Sequence, residues 1–164
     1  MKKFFFLMMV LMTTVNINAK DVEDDKEIPL IADLELGIGT RYKGLQQCNF
    51  SIDVGYTFFN LIYPYFRYES ALMLYKHDGE KVYGNTSNIG GGLGVILYKD
   101  EDNDRLEFTT NMTTSVGGDY HNTAYYAGFR FRVDGHFVGL GYRYNKSRDC
   151  DWHDYSAFVF SIAF

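Results

Sequence analysis

Four histidines, His77, His121, His136 and His153, are the first residues to ask for chemistry. His153, Asp154 and Ser156 lie close in sequence and hold the parts of a base–nucleophile pair. Such a pair needs a third group to orient the imidazole, and no residue is placed for it. Residues one and three apart on an extended chain need not converge. His77, His121 and His153, with Asp78, Asp119, Asp151 and Asp154 nearby, could ligate a cation, but no ligand spacing of a known metal site is present. The reading is no catalytic residue, no metal and no cofactor.

A second set is more telling. Asp33, Glu35, Asp53, Glu69 and Glu107 recur at alternate positions in segments that are otherwise apolar, and so do Arg41, Arg67, Arg130, Arg132 and Arg143. The two signs balance, and every base is Arg. A solvated surface would mix in Lys. Arg presents a planar fork of donors that suits enclosed ion pairs. These residues are read as one charge network inside an enclosed space.

The elements that must position them follow from the period. Apolar and polar residues alternate over stretches of about ten residues, separated by polar breaks, and a period of two means strands. The stretches begin near Leu30, Cys48, Phe66, Asn88, Leu106, Tyr125, Val138 and Tyr155, which makes eight. The longest break is placed at 76–87. Asp134-Gly135 is a two-residue hairpin signal.

The apolar run Phe4–Met12 after Lys2 and Lys3, with Ile17 and Ala19 before a plausible cleavage point, reads as a secretory signal peptide over 1–19. It is too short for a spanning helix. Residues 20–28 form an acidic lead-in, and 29–164 form one domain. The chain has a formal net charge of −5, and cleavage would make it more acidic, so a nucleic-acid partner is not expected. Mean hydropathy is −0.22 although 46% of residues are hydrophobic, as alternation requires.

Alternation leaves open which face is inside. A soluble barrel buries its apolar face, whereas a membrane barrel shows it to lipid. Three features favour the second. The polar face carries Gly37, Gly39, Gly55, Gly90, Gly92, Gly94, Gly128, Gly139 and Gly141, which weaken a solvated strand but relieve a crowded lumen. The charges are balanced and all bases are Arg. The chain ends on Phe158, Phe160, Ile162 and Phe164 at period two, with Tyr155 before them; a free apolar end strand invites aggregation unless it closes a barrel.

The signal-peptide pattern, the eight strands and terminal Phe164 resemble the small outer-membrane barrel superfamily that includes OmpX-type proteins and the OmpA membrane domain. The resemblance covers about residues 28–164. It implies an all-β fold, an eight-stranded antiparallel up-and-down transmembrane β-barrel preceded by a cleavable signal peptide. It also implies a monomer in the bacterial outer membrane, partnered by outer-membrane lipid and by the barrel-assembly machinery, which in that family recognises the C-terminal signature. No periplasmic domain follows Phe164, so the OmpA anchoring role is not expected to carry over.

Two aromatic girdles are expected. Tyr56, Phe58, Phe59, Tyr63, Tyr65, Tyr98, Phe131 and Phe164 are placed at the periplasmic rim; Tyr42, Tyr75, Tyr125, Tyr144 and Tyr155 at the outer rim. Export to an oxidising compartment, with barrel closure bringing the last loop beside the second strand, suggests a Cys48–Cys150 disulfide. The leading functional reading is a non-enzymatic barrel with a plugged polar lumen. It would act through its outer loops, with an extracellular ligand as a candidate partner, or in adhesion and envelope integrity. The alternatives are a lipid A-modifying enzyme at the outer rim and a soluble periplasmic barrel for an apolar ligand.

Overall fold

The computed structural model describes residues 30–77, 80–100, 104–149 and 154–164. The expected signal peptide and lead-in lie outside these, as do Asp78, Cys150, Asp151 and His153. Eight strands run in order: β1 Leu30–Gly39, β2 Leu45–Tyr56, β3 Ile62–His77, β4 Glu80–Lys99, β5 Arg105–Gly118, β6 Asn122–Val133, β7 His136–Ser147 and β8 Tyr155–Ala163. Each pairs antiparallel with its sequence neighbour, and β8 pairs with β1, giving a closed up-and-down barrel. The end where β1 begins and β8 finishes is called lower here, the other end upper.

Closure removes every sheet edge and requires the strands to be staggered. The stagger can be followed around the wall. Ala32 lies opposite Val54, then Phe66, Gly91, Met112, Tyr125, Tyr144 and Ser156 in turn. Continuing that row to β1 meets the chain above Gly39, far from the starting residue. A row of paired residues therefore climbs as it passes from β1 to β2 and onward.

The turns follow local chemistry. Asp134 and Gly135 have φ of 49° and 80° and join Val133 to His136 directly, as the Asp-Gly pair predicts. Lys43 and Gly44, with φ of 49° and 84°, make a second tight turn, closed by a Tyr42–Leu45 bridge. That turn ends β1 at Gly39. Most of the break expected at 76–87 is strand. The ladder continues to His77 opposite Glu80, so β3 and β4 reach 16 and 20 residues, against 10 for β1. Within it Gly84 and Asn85 stand in a regular ladder opposite Met73 and Leu72, while 78–79 lie outside the described residues.

Alternation sorts the side chains as the charges suggested, with polar residues inward. The β4–β5 ladder shifts register twice, between Ser87 and Asn88 and between Ile96 and Tyr98, and at the second the alternation of β4 breaks. Ile96 stays inside, and Leu97 and Tyr98 both face out.

Candidate functional site

The site is the lumen itself, which can be read in tiers from the lower end. Ile31, Tyr63, Tyr65 and Ile96 form an apolar floor. At its level Arg132, on β6, makes a two-pronged contact with Asp33, on β1, at 3.0 and 2.8 Å across the barrel. Its Nε also reaches Glu107 at 3.3 Å. Glu107 accepts the Tyr63 hydroxyl at 2.5 Å and pairs with Arg105.

The middle tier is a four-membered cluster. Arg67 binds Glu35 and lies 3.1 Å from Asp53. Arg130 reaches the same two carboxylates at 2.7 and 3.1 Å, and its other prong lies 3.7 Å from Asp33. The Phe137 ring covers the Arg130 guanidinium at 4.3 Å, so one face of the cation is shielded by an aromatic surface.

In the upper tier Arg143 grips Glu69 with both prongs, at 2.6 and 2.5 Å. Asn88 donates to the same carboxylate at 3.0 Å, and Arg143 Nε donates to Asn145 at 2.7 Å. Leu45, Met73, Tyr120, Tyr155 and Ala157 roof this tier with a second apolar cluster. Tyr120 comes from the β5–β6 connection, so a residue between strands folds inward to complete the roof.

Nine of the ten network residues read from the sequence are buried here: Asp33, Glu35, Asp53, Arg67, Glu69, Glu107, Arg130, Arg132 and Arg143. Arg41 is not among them. It has the right parity, but β1 ends two residues earlier, and Arg41 is exposed at the rim. Arg105 takes its place as the fifth base, 19% exposed at the lower mouth. The fifth stretch as read from the sequence begins near Leu106 and leaves Arg105 out, although its odd number matches the inward parity of Glu107 and Thr109.

The inward tyrosines are a further correction. Tyr63, Tyr65 and Tyr155 were placed in girdles, yet they are 1%, 5% and 0% exposed. Residue type suggested the interface, but parity with Arg67 and with Val159 decides the direction. These rings explain several inward glycines. Tyr63 lies opposite Gly94 and Tyr65 opposite Gly92. A Cβ on Gly94 would sit 2.0 Å from the Tyr63 ring, and one on Gly92 2.4 Å from the Tyr65 ring. Glycine lets each ring lie flat against the neighbouring strand.

The outer face is the complement of the lumen. Leu36, Leu93, Phe129, Leu140 and Phe160 are each close to half exposed, and Phe158, Phe160 and Ile162 of the C-terminal pattern all face out. Phe164 also faces out, and its backbone pairs with Leu34. Leaving aside 76–82, whose side chains are outside the described ones, the outward side chains along the strands are uncharged except for Lys146 at the upper end of β7. Tyr125 and Tyr144 stack near that end, with ring centroids 6.5 Å apart.

The histidine candidates among the described residues do not assemble, and His153 lies outside them. His121 pins two outer connections together, with its backbone N–H and its ring both directed at Asp149, the ring at 3.3 Å. Asp119 accepts a hydrogen bond from the Asn85 backbone at 3.0 Å. His136 lies at the opposite, lower end, edge-on to the Phe164 ring. Ser156 contacts the Tyr142 hydroxyl, and Asp154 accepts from Tyr144 at 2.6 Å. Among the described residues no group of three or more His, Cys, Asp or Glu could hold a metal ion.

The expected disulfide is not formed. Cys48 is a free thiol. β2 begins at Leu45, so Cys48 stands within the ladder between Ile38 and Leu72, facing out of the barrel rather than at its rim. Cys150 lies outside the described residues.

No family model, curated protein or solved structure matches the chain. No helix among the described residues is long and apolar enough to cross a membrane, which says nothing of crossing by strands.

Proposed function

We propose that this chain is a membrane-spanning β-barrel of the bacterial outer membrane, exported by a signal peptide over 1–19 and related to the OmpX-like small barrels. One observation carries the reading. The interior holds carboxylates and guanidiniums, and the mid-wall exterior holds uncharged, largely apolar side chains, the reverse of a water-soluble protein. In a bilayer every backbone polar group must be paired internally, and a closed barrel does that. Its outward band should be apolar and edged by aromatics. Phe58, Phe59, Tyr98 and Phe131 supply such an edge at the lower rim, and Tyr42, Tyr125 and Tyr144 at the upper.

The barrel is non-enzymatic and carries a plugged lumen. Eight strands leave an interior that side chains can fill. Here three tiers of ion pairs between two apolar clusters fill it. Its work falls to the outer connections or to envelope integrity, and its partners are lipid and the barrel-assembly machinery, which would read Tyr155, Phe158, Phe160, Ile162 and Phe164. A soluble barrel for an apolar ligand would need an apolar interior, and this one is charged. Fractionation tests the reading: the mature chain should stay with membranes after carbonate extraction and run with heat-modifiable mobility on gels. Recovery as a water-soluble periplasmic protein would overturn it.

A further inference from the structure

The outer wall is not evenly packed. A groove of about 740 Å³ crosses it from β7 to β4. It lies between two adjacent rows of outward side chains. The lower row passes through Val138, Ile162, Leu36, Phe50 and Ser70. The upper row passes through Phe160, Ile38, Cys48, Leu72 and Asn85. Gly37 and Ala71, inward residues between the rows, form part of its floor.

Because rows climb from β7 toward β4, the groove rises diagonally. Its lower end is walled by Val138, Phe160 and Ile162, with Ser161 between the last two in its floor. Its upper end, at Ser70 and Asn85, is polar. It spans six strands, or about 24 Å at roughly 4.8 Å per spacing. Above its upper ridge on β1 and β2 the outward residues turn polar, at Thr40 and Gln46. The turn beyond them exposes two cations, Arg41 and Lys43, the second 5.4 Å over the Tyr42 ring. A largely apolar channel with polar groups at its upper end on β3 and β4, and a cationic turn above its β1–β2 stretch, is complementary to an anionic amphiphile.

We propose that the groove holds one acyl chain of an anionic, phosphate-bearing lipid of the surrounding bilayer, with the lipid phosphate at Arg41 and Lys43. The inference rests on the membrane-spanning reading above. It gives Arg41, which has no place in the lumen, a role at the lipid interface. It also gives a reason for a small thiol at position 48, between Ile38 and Leu72 in the upper row, since a larger side chain there would fill the channel. Basic residues at a membrane surface each favour anionic lipid.

The test uses the folded barrel in detergent micelles, titrated separately with phosphatidylglycerol and phosphatidylcholine and read by native mass spectrometry. One phosphatidylglycerol should be retained with roughly tenfold preference, a margin two interfacial cations can supply. The double variant Arg41→Gln with Lys43→Gln should lose the preference, and Cys48→Phe should lose retention of both lipids. The turn variant leaves the wall untouched, so it keeps the test valid should Cys48→Phe fail to fold. Equal retention of the two lipids, retention of neither, or a preference unchanged in the turn variant would each overturn the proposal. Heat-modifiable mobility of the same samples separates the two readings. A folded, membrane-inserting barrel that retains no anionic lipid refutes the groove alone, whereas a chain that stays soluble without detergent refutes the membrane reading.

Discussion

Phe129 and Arg130 are consecutive residues of β6, yet the first is 52% exposed and the second 1%. The same inversion repeats along every strand, and it separates two regions with different rules of packing. Outside, each side chain meets its neighbours in loose rows and owes its position to parity alone. Inside, each charged group has specific partners on distant strands: Arg130 on β6 reaches Glu35 on β1 and Asp53 on β2. The exterior should therefore tolerate any change that keeps its chemistry, and the interior only changes that keep its geometry.

The largest effect should come from breaking the middle tier. Arg130→Ala leaves Glu35 and Asp53 with one guanidinium, Arg67, between them in a confined space. Removing one member of a buried pair costs about 3–5 kcal/mol. Urea unfolding of the barrel in lipid vesicles should show that loss, or planar-bilayer recording should show a new leak. Unchanged stability and conductance together would mean that the tiers do not plug the lumen. Glu69→Gln with Arg143→Met, which removes both members of the upper pair, should cost less than Arg130→Ala, because no charge is left alone.

Next comes a charge placed on the exterior. Leu93→Arg or Leu140→Arg puts a guanidinium into the apolar band and should cost about 2–4 kcal/mol at mid-bilayer. Leu93→Phe should cost little. If the Arg and Phe variants unfold at the same urea concentration, the outward face is not in lipid.

A smaller interior effect is expected at the glycine–tyrosine contacts. Gly94→Ala brings a Cβ against the Tyr63 ring, which also holds Glu107. Overpacking of this kind costs about 1–3 kcal/mol. Gly135→Ala, at a turn with open space but φ of 80°, tests backbone strain instead of packing. A loss at Gly94 that Tyr63→Leu does not relieve would argue against the ring contact.

The smallest effect should be at Thr113, whose buried hydroxyl has no hydrogen-bond partner among the described residues. Thr113→Val keeps the shape and removes a group that gains nothing from burial, so stability should stay level or rise by up to about 1 kcal/mol. A clear loss in the same unfolding assay would show that the hydroxyl is hydrogen-bonded in the folded barrel.

Much of this architecture was legible in the chain. A period of two is a property of neighbouring residues, so the eight strands and the split of charges from apolar residues needed no tertiary information. The Asp134-Gly135 turn was legible for the same reason, since its φ values are set locally. Even Tyr63, Tyr65 and Tyr155 were decided by parity, and only the habit of assigning tyrosine to the interface hid it. Tertiary structure decided where the pattern stops and what meets what. Whether β1 reaches Arg41 depends on a turn that competes with the ladder. Whether 76–87 is loop or strand depends on the cross-strand partners available to it. The partners of Arg130 depend on the stagger with which the barrel closes, because that stagger sets which residues of β1, β2 and β6 share a level. Alternation fixes the direction of a side chain but not its height, and ion pairing needs both.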